Sequence, residues 1–128
     1  NKKMTIGQMF ENIPTHLAVD DITTLTATAS NLASSFATAI DLSGASADVA
    51  FTLDNGTDVG QLKVIYASTE PASSFVANIT VTSWGTSATG SNQIVLSTLG
   101  EAVICFWSGT AWFVIADSGL TASRPAIT

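Results

Sequence analysis

The stretch GEAVICFWSGTAWFVIADSG, residues 100–119, constrains the fold more than any other part of the chain. It reads as two strands joined by a tight Ser-Gly-Thr turn. Alternation puts Val103, Cys105 and Trp107 on one face and Ala102, Ile104 and Phe106 on the other. The return strand sets Trp112, Val114 and Ala116 against Phe113 and Ile115. Both faces of the ribbon are therefore apolar, whereas an antiparallel hairpin usually shows one face to water. Half-buried strands of the same chain can cover one face. The second is expected to meet another copy of the chain.

Composition points the same way. Charged residues make up 11% of the 128 positions, against roughly a quarter in an ordinary soluble domain. Depletion of charge is the mark of surfaces covered by other protein. The formal net charge is −6, with only Lys2, Lys3, Lys63 and Arg124 basic. Four cations cannot form the stripe that neutralises phosphates, so nucleic acid is not an expected partner. An anionic membrane surface would repel the chain for the same reason. Cys105 is the single cysteine, which excludes an internal disulfide framework. No apolar run is long enough for a membrane helix and no leader pattern opens the chain. The sequence predicts a protein made in a reducing cytoplasm and used without secretion.

Two segments differ in character. Residues 1–21 hold both methionines, the single histidine and a proline. Ile6, Met9, Phe10 and Ile13 follow helical spacing until Pro14 ends it. This segment reads as an N-terminal arm, docking elsewhere or packing on its own domain, ahead of a β-domain at 22–128. Within that domain ITTLTATA (22–29) is β-branched, and 36–42 alternates as a strand although Ser30 or Asn31 could cap a short helix. DVAFTLDNGTD (48–58) alternates up to Asn55-Gly56, a signal for a type I′ hairpin turn. Residues 60–67, 75–84 and 93–98 supply further strands before the terminal hairpin. About eight short strands with turn signals between them predict an all-β chain, a small antiparallel β-sandwich or barrel.

Chemistry-bearing groups are sparse. His16 lies in the arm and Cys105 in an apolar strand, so no nucleophile–base pair is expected. Two such residues do not make a zinc site. Asp54-Asn55-Gly56-Thr57-Asp58 has alternating oxygen ligands but lacks the late acidic residue of a calcium loop. No catalytic residue, cofactor or metal is assigned. Trp84 and Tyr66 could stack on a glycan, although large aromatics more often anchor cores and interfaces.

GQLKVIY (60–66), FVANITVTSWG (75–85) and the terminal hairpin, with Phe106, Trp107, Gly109, Thr110 and Trp112 around its turn, occur in an order that resembles small virion structural proteins of tailed bacteriophages. The likeness is to those of marine and cyanobacterial phages and covers about residues 60–119. It implies a non-enzymatic virion component on the outer capsid surface. Such a component is often a trimer and decorates or cements the shell by binding the major capsid protein. Some relatives are instead fibre modules that recognise host glycans. In this frame Met4, Ile6, Met9, Phe10 and Ile13 are the expected anchors of a capsid-binding arm. Val103, Cys105, Trp107, Trp112 and Val114 form the hairpin assigned to core and subunit contact.

Overall fold

A computed structural model describes residues 22–26, 30–32, 36–85, 92–118 and 126–127. The arm expected at 1–21, with Met4, Ile6, Met9, Phe10 and Ile13, lies outside the described residues. Ten strands occur among those described: β1 (Ile22–Leu25), β2 (Ser30–Asn31), β3 (Ala37–Ile40), β4 (Val49–Leu53), β5 (Leu62–Ala67), β6 (Ala77–Val81), β7 (Gln93–Leu96), β8 (Ala102–Trp107), β9 (Trp112–Ser118) and β10 (Ala126–Ile127). The all-β fold expected from the sequence is what forms. Two five-stranded sheets pack face to face, a front sheet ordered β1-β3-β5-β8-β9 and a back sheet ordered β10-β7-β6-β4-β2. Each sheet has two edges, so the architecture is a sandwich and not a closed barrel.

The expectation of antiparallel pairing throughout is corrected. In the front sheet β1, β3 and β5 run parallel, and β8 and β9 add antiparallel. The back sheet repeats the scheme, with β2, β4 and β6 parallel and β7 and β10 antiparallel. From β1 to β6 the chain alternates between sheets, so each parallel crossover passes through the facing sheet. Parallel strands need a long crossover, and here a strand of the other sheet supplies it instead of a helix.

The Asn55-Gly56 turn illustrates the difference. It does not close a hairpin, because β4 belongs to the back sheet and β5 to the front. Gly56 is required for room rather than for a positive φ. A Cβ built there would lie 2.4 Å from Cγ of Trp107. The Trp107 indole thus lies against the bare backbone of the arch.

The core fills the space between the sheets. Ile40, Ile65, Val103 and Cys105 enter from the front, and Phe51, Ile79, Val81, Ile94 and Leu96 from the back. β6 has the alternation read from the sequence, with Ala77, Ile79 and Val81 buried and Asn78 and Thr80 half-buried. Burying a side chain such as Ile79 contributes about 1.5–3 kcal/mol.

Two segments tie the layers together at opposite ends of the sandwich. At one, β7 leads to β8 through Ser97–Glu101, where Gly100 takes φ +87°. Glu101 is 1% exposed, and its carboxylate accepts the backbone N–H groups of Ser97 and Thr98. A buried carboxylate is tolerable only with such donors. At the other end Trp84 forms an isolated bridge with Trp112. Trp112 N–H donates to Ser83 O at 2.9 Å, and Gly85 N–H donates to Trp112 O at 2.8 Å. The residues that follow β6 thereby tie the back sheet to the edge of the front one.

Candidate interaction face

The terminal hairpin has one face sealed by its own chain. Val103, Cys105, Trp107 and Trp112 are buried in the core and Val114 packs against it. Trp107 and Trp112 meet at 5.3 Å between ring centroids, tilted 55°. Trp112 Nε1–H donates to Asp54 O at 2.9 Å. Of these five residues, expected to serve core and subunit contact, four are buried within the chain itself and Val114 is half-buried. The opposite face of the ribbon is the one its own chain leaves partly exposed.

That outer face is defined by strand register. Leu62 pairs with Phe106, Val64 with Ile104 and Tyr66 with Ala102 across β5 and β8. Phe106 pairs with Phe113, Ile104 with Ala116 and Ala102 with Ser118 across β8 and β9. The register slips between Ile104 and Cys105, leaving Ile115 as the extra residue of a bulge. Strict alternation had put Ala116 beside Val114. The bulge instead turns both Ile115 and Ala116 outward, and both are exposed. Phe113 is 39% and Ile115 59% exposed. Phe113 is braced from behind, for a Cβ on Gly85 would meet its Cζ at 2.5 Å.

The back sheet provides a control within the same fold. Its outward positions include Asn31, Thr52, Thr80 and Gln93 in one row and Ala50, Asn78 and Val95 in the next. Beyond the end of that face Asp54 accepts from Asn31 Nδ2 at 3.0 Å and from the Thr82 hydroxyl at 3.4 Å. One outer face is thus dressed with amides and hydroxyls, while the other is aliphatic and aromatic. A sheet turned to water needs only the first kind.

Trp84 and Tyr66 are not brought together. Trp84 is half-buried beside Trp112, at the Leu62 end of β5. Tyr66 stands four residues further along that strand, roughly 13 Å at about 3.3 Å per residue.

Three side chains form a polar cluster inside the core that the sequence reading missed. Lys63 is the cross-strand partner of Cys105 and is 1% exposed. Its ammonium donates to the Thr38 hydroxyl. Burial pulls the Lys63 amine down to about 8, with the neighbouring Cys105 opposing weakly. Burial pushes the Cys105 thiol up to about 12, against the attraction of Lys63. A thiol shifted that way is the opposite of an activated nucleophile. Alternation places Lys63 on one side of β5 with Ile65 and Ala67, but the other side is equally apolar, so the sequence does not mark this side as the inner one.

Elsewhere Asp41 accepts from Ser43 N–H at 3.0 Å, the Ser43 hydroxyl at 2.7 Å and the Thr69 hydroxyl at 2.8 Å. The backbone donor of Ser43, followed by the two hydroxyls, holds its carboxyl below the usual value. This knot fastens the loop after β3 to the one after β5. Among the described residues no group of three His, Cys, Asp or Glu side chains is placed to hold a metal ion. No helix among them is long and apolar enough to cross a membrane. No model of a known protein family matches the sequence, and no curated protein matches it.

Proposed function

We propose that this chain is a non-catalytic assembly protein whose apolar front face is covered by further copies of itself, three to an assembly. One observation carries the reading: two sheets of one sandwich present outer faces of opposite character. Water suffices for the amide and hydroxyl face. The aliphatic and aromatic face gains by leaving water, about 25 cal/mol for each Å² of apolar surface covered.

The sequence resemblance extends the reading to a virion. In that role the assembly decorates the outer surface of a phage capsid and stiffens it through many repeated contacts with the major capsid protein. Residues 1–21 serve as the latch, with Met4, Ile6, Met9, Phe10 and Ile13 as anchors. The work is done by buried area and needs no cofactor.

Light scattering between one and one hundred micromolar tests the assembly. The expected mass is three chains, and a single-chain mass across the range overturns the reading. Removing residues 1–13 is expected to abolish binding to purified heads while leaving the mass unchanged. Heads that still bind the shortened protein would refute the latch.

A further inference from the structure

The front face is not flat. At the turn end of the hairpin Leu62, Phe106 and Phe113 stand side by side across β5, β8 and β9. Ile115 rises beside them on the bulge, the most exposed large side chain of that strand. Towards the other end the same strands carry Ala102, Ala116 and Ser118, and the surface drops. The result is a hollow of about 150 Å³ lined by Val64, Ala102, Ile104, Ala116, Asp117 and Ser118. Ridge and hollow lie on one ribbon, one to four residues apart.

We infer that the Phe113–Ile115 ridge of one copy seats in the Ala102–Ala116 hollow of another, and that this contact is what joins copies of the chain. The inference rests on the assembly proposed above and names the residues through which it occurs. The occupant is a second copy for three reasons. First, the face offers both halves of the fit, a protruding branched side chain and a recess large enough to take it. Second, the protein carries a net charge of −6, so copies repel wherever their carboxylates approach. The register positions of β1, β3, β5 and β8 on this face (Ile22, Thr24, Ala37, Ala39, Leu62, Val64, Tyr66, Ala102, Ile104, Phe106) carry no charge, and Asp117 is the single carboxylate lining the hollow. Copies can therefore close on this face without burying like charges. Third, the area fits reversible self-association. Five strands about 4.8 Å apart, of four to seven residues at about 3.3 Å each, give a face of roughly 400 Å². That is below the about 800 Å² each partner gives to a standard interface. With so little area, loss of one well-seated side chain is enough to part the copies.

If each copy gives its ridge to one neighbour and takes the ridge of the other, the contact is head-to-tail and closes as a ring where the rotation between copies allows it. A ring of three, the number proposed above, is one arrangement that uses both halves of every face.

The test uses the full chain and three variants. Ile115→Asp puts a carboxylate on the ridge, and Ala116→Phe fills the hollow while leaving the ridge alone. Both positions are exposed in the single chain, so folding is not at stake, and circular dichroism with thermal unfolding checks it. Ala50→Asp, exposed on the back face, is the control. Sedimentation velocity over one to one hundred micromolar is expected to show the half-dissociation concentration rise at least tenfold for Ile115→Asp and for Ala116→Phe, and stay within twofold for Ala50→Asp. An assembled wild type that neither front-face variant weakens overturns the ridge-and-hollow contact while leaving the assembly standing. A wild type that is a single chain throughout removes both.

Discussion

Lys63 makes the protein's stability depend on pH in an unusual direction. Its amine has a folded-state pKa of about 8 against 10.5 for a free lysine. At neutral pH the folded chain must hold a buried ammonium, at a cost of about 1.4 kcal/mol for each unit, or roughly 3 kcal/mol. As pH rises above 8 the folded state sheds this proton while the unfolded chain keeps it until 10.5, so stability increases with pH across that window. Cys105 acts oppositely. Its thiol titrates near 9.0 when unfolded and at about 12 when folded, so the stability it lends is complete below pH 9 and lost as pH rises to 12. The two together predict a gain of about 1 kcal/mol from pH 7 to 9.5, a flat top near pH 10, and a fall beyond. The check is urea unfolding at constant ionic strength from pH 7 to 11, on the wild type and on Lys63→Met. Methionine removes the cost of burying charge but strips the Thr38 hydroxyl of its donor, a penalty of about 1–3 kcal/mol, so the variant is expected to be near wild-type stability at pH 7. The difference between the two proteins should then move by about 2 kcal/mol in favour of the wild type by pH 9.5. A difference that stays constant across this range refutes the burial of Lys63 as a charge.

Two further substitutions probe how the layers are joined. Gly56→Ala forces a methyl into the Trp107 ring, 2.4 Å from Cγ. It is expected to lower stability by about 1–3 kcal/mol, read as a reduced thermal midpoint; an unchanged midpoint means that the arch does not rest on the indole. Glu101→Ala leaves the Ser97 and Thr98 N–H groups without their buried acceptor. A loss of about 2 kcal/mol or more is expected in urea titration, and a loss under half a kcal/mol would show that the turn holds without its carboxylate.

Much of the layer structure was legible in the sequence, and the reason is the two-residue period. Alternation identified the strand and inward residues of 75–84, and the strands and two faces of the terminal hairpin, because burial of one face leaves the same trace in any sheet. What alternation does not record is the partner of each strand. Asn55-Gly56 marks a change of direction equally well for a hairpin and for an arch to the facing sheet, so the parallel winding from β1 to β6 was invisible. The bulge at Ile115 was hidden for a related reason. Trp112 to Ala116 are all apolar, and such a run gives no warning when the period slips by one. Lys63 escaped notice because both parities of LKVIYA are apolar apart from it, and either could have faced the core. The hairpin's second apolar face was legible in the sequence and remains half-exposed in the single chain. The three-dimensional picture adds that Phe113 and Ile115 are exposed and Phe106 half-buried, whereas Trp107 and Trp112 are buried.

The winding of the first six strands has a mechanical consequence. Ala37 pairs with Val64 and Val49 with Ala77, and the thread between each pair runs through the opposite layer. Neither layer can peel away alone, for lifting β3, β4 or β5 drags on the two arches that lace it to the other side. Such a body folds slowly, since distant parts of the chain must find each other before any contact repays the closure of the intervening loop. It should also open as one unit rather than in pieces. A barrier raised in both directions suits a part that is built once and must then endure strain.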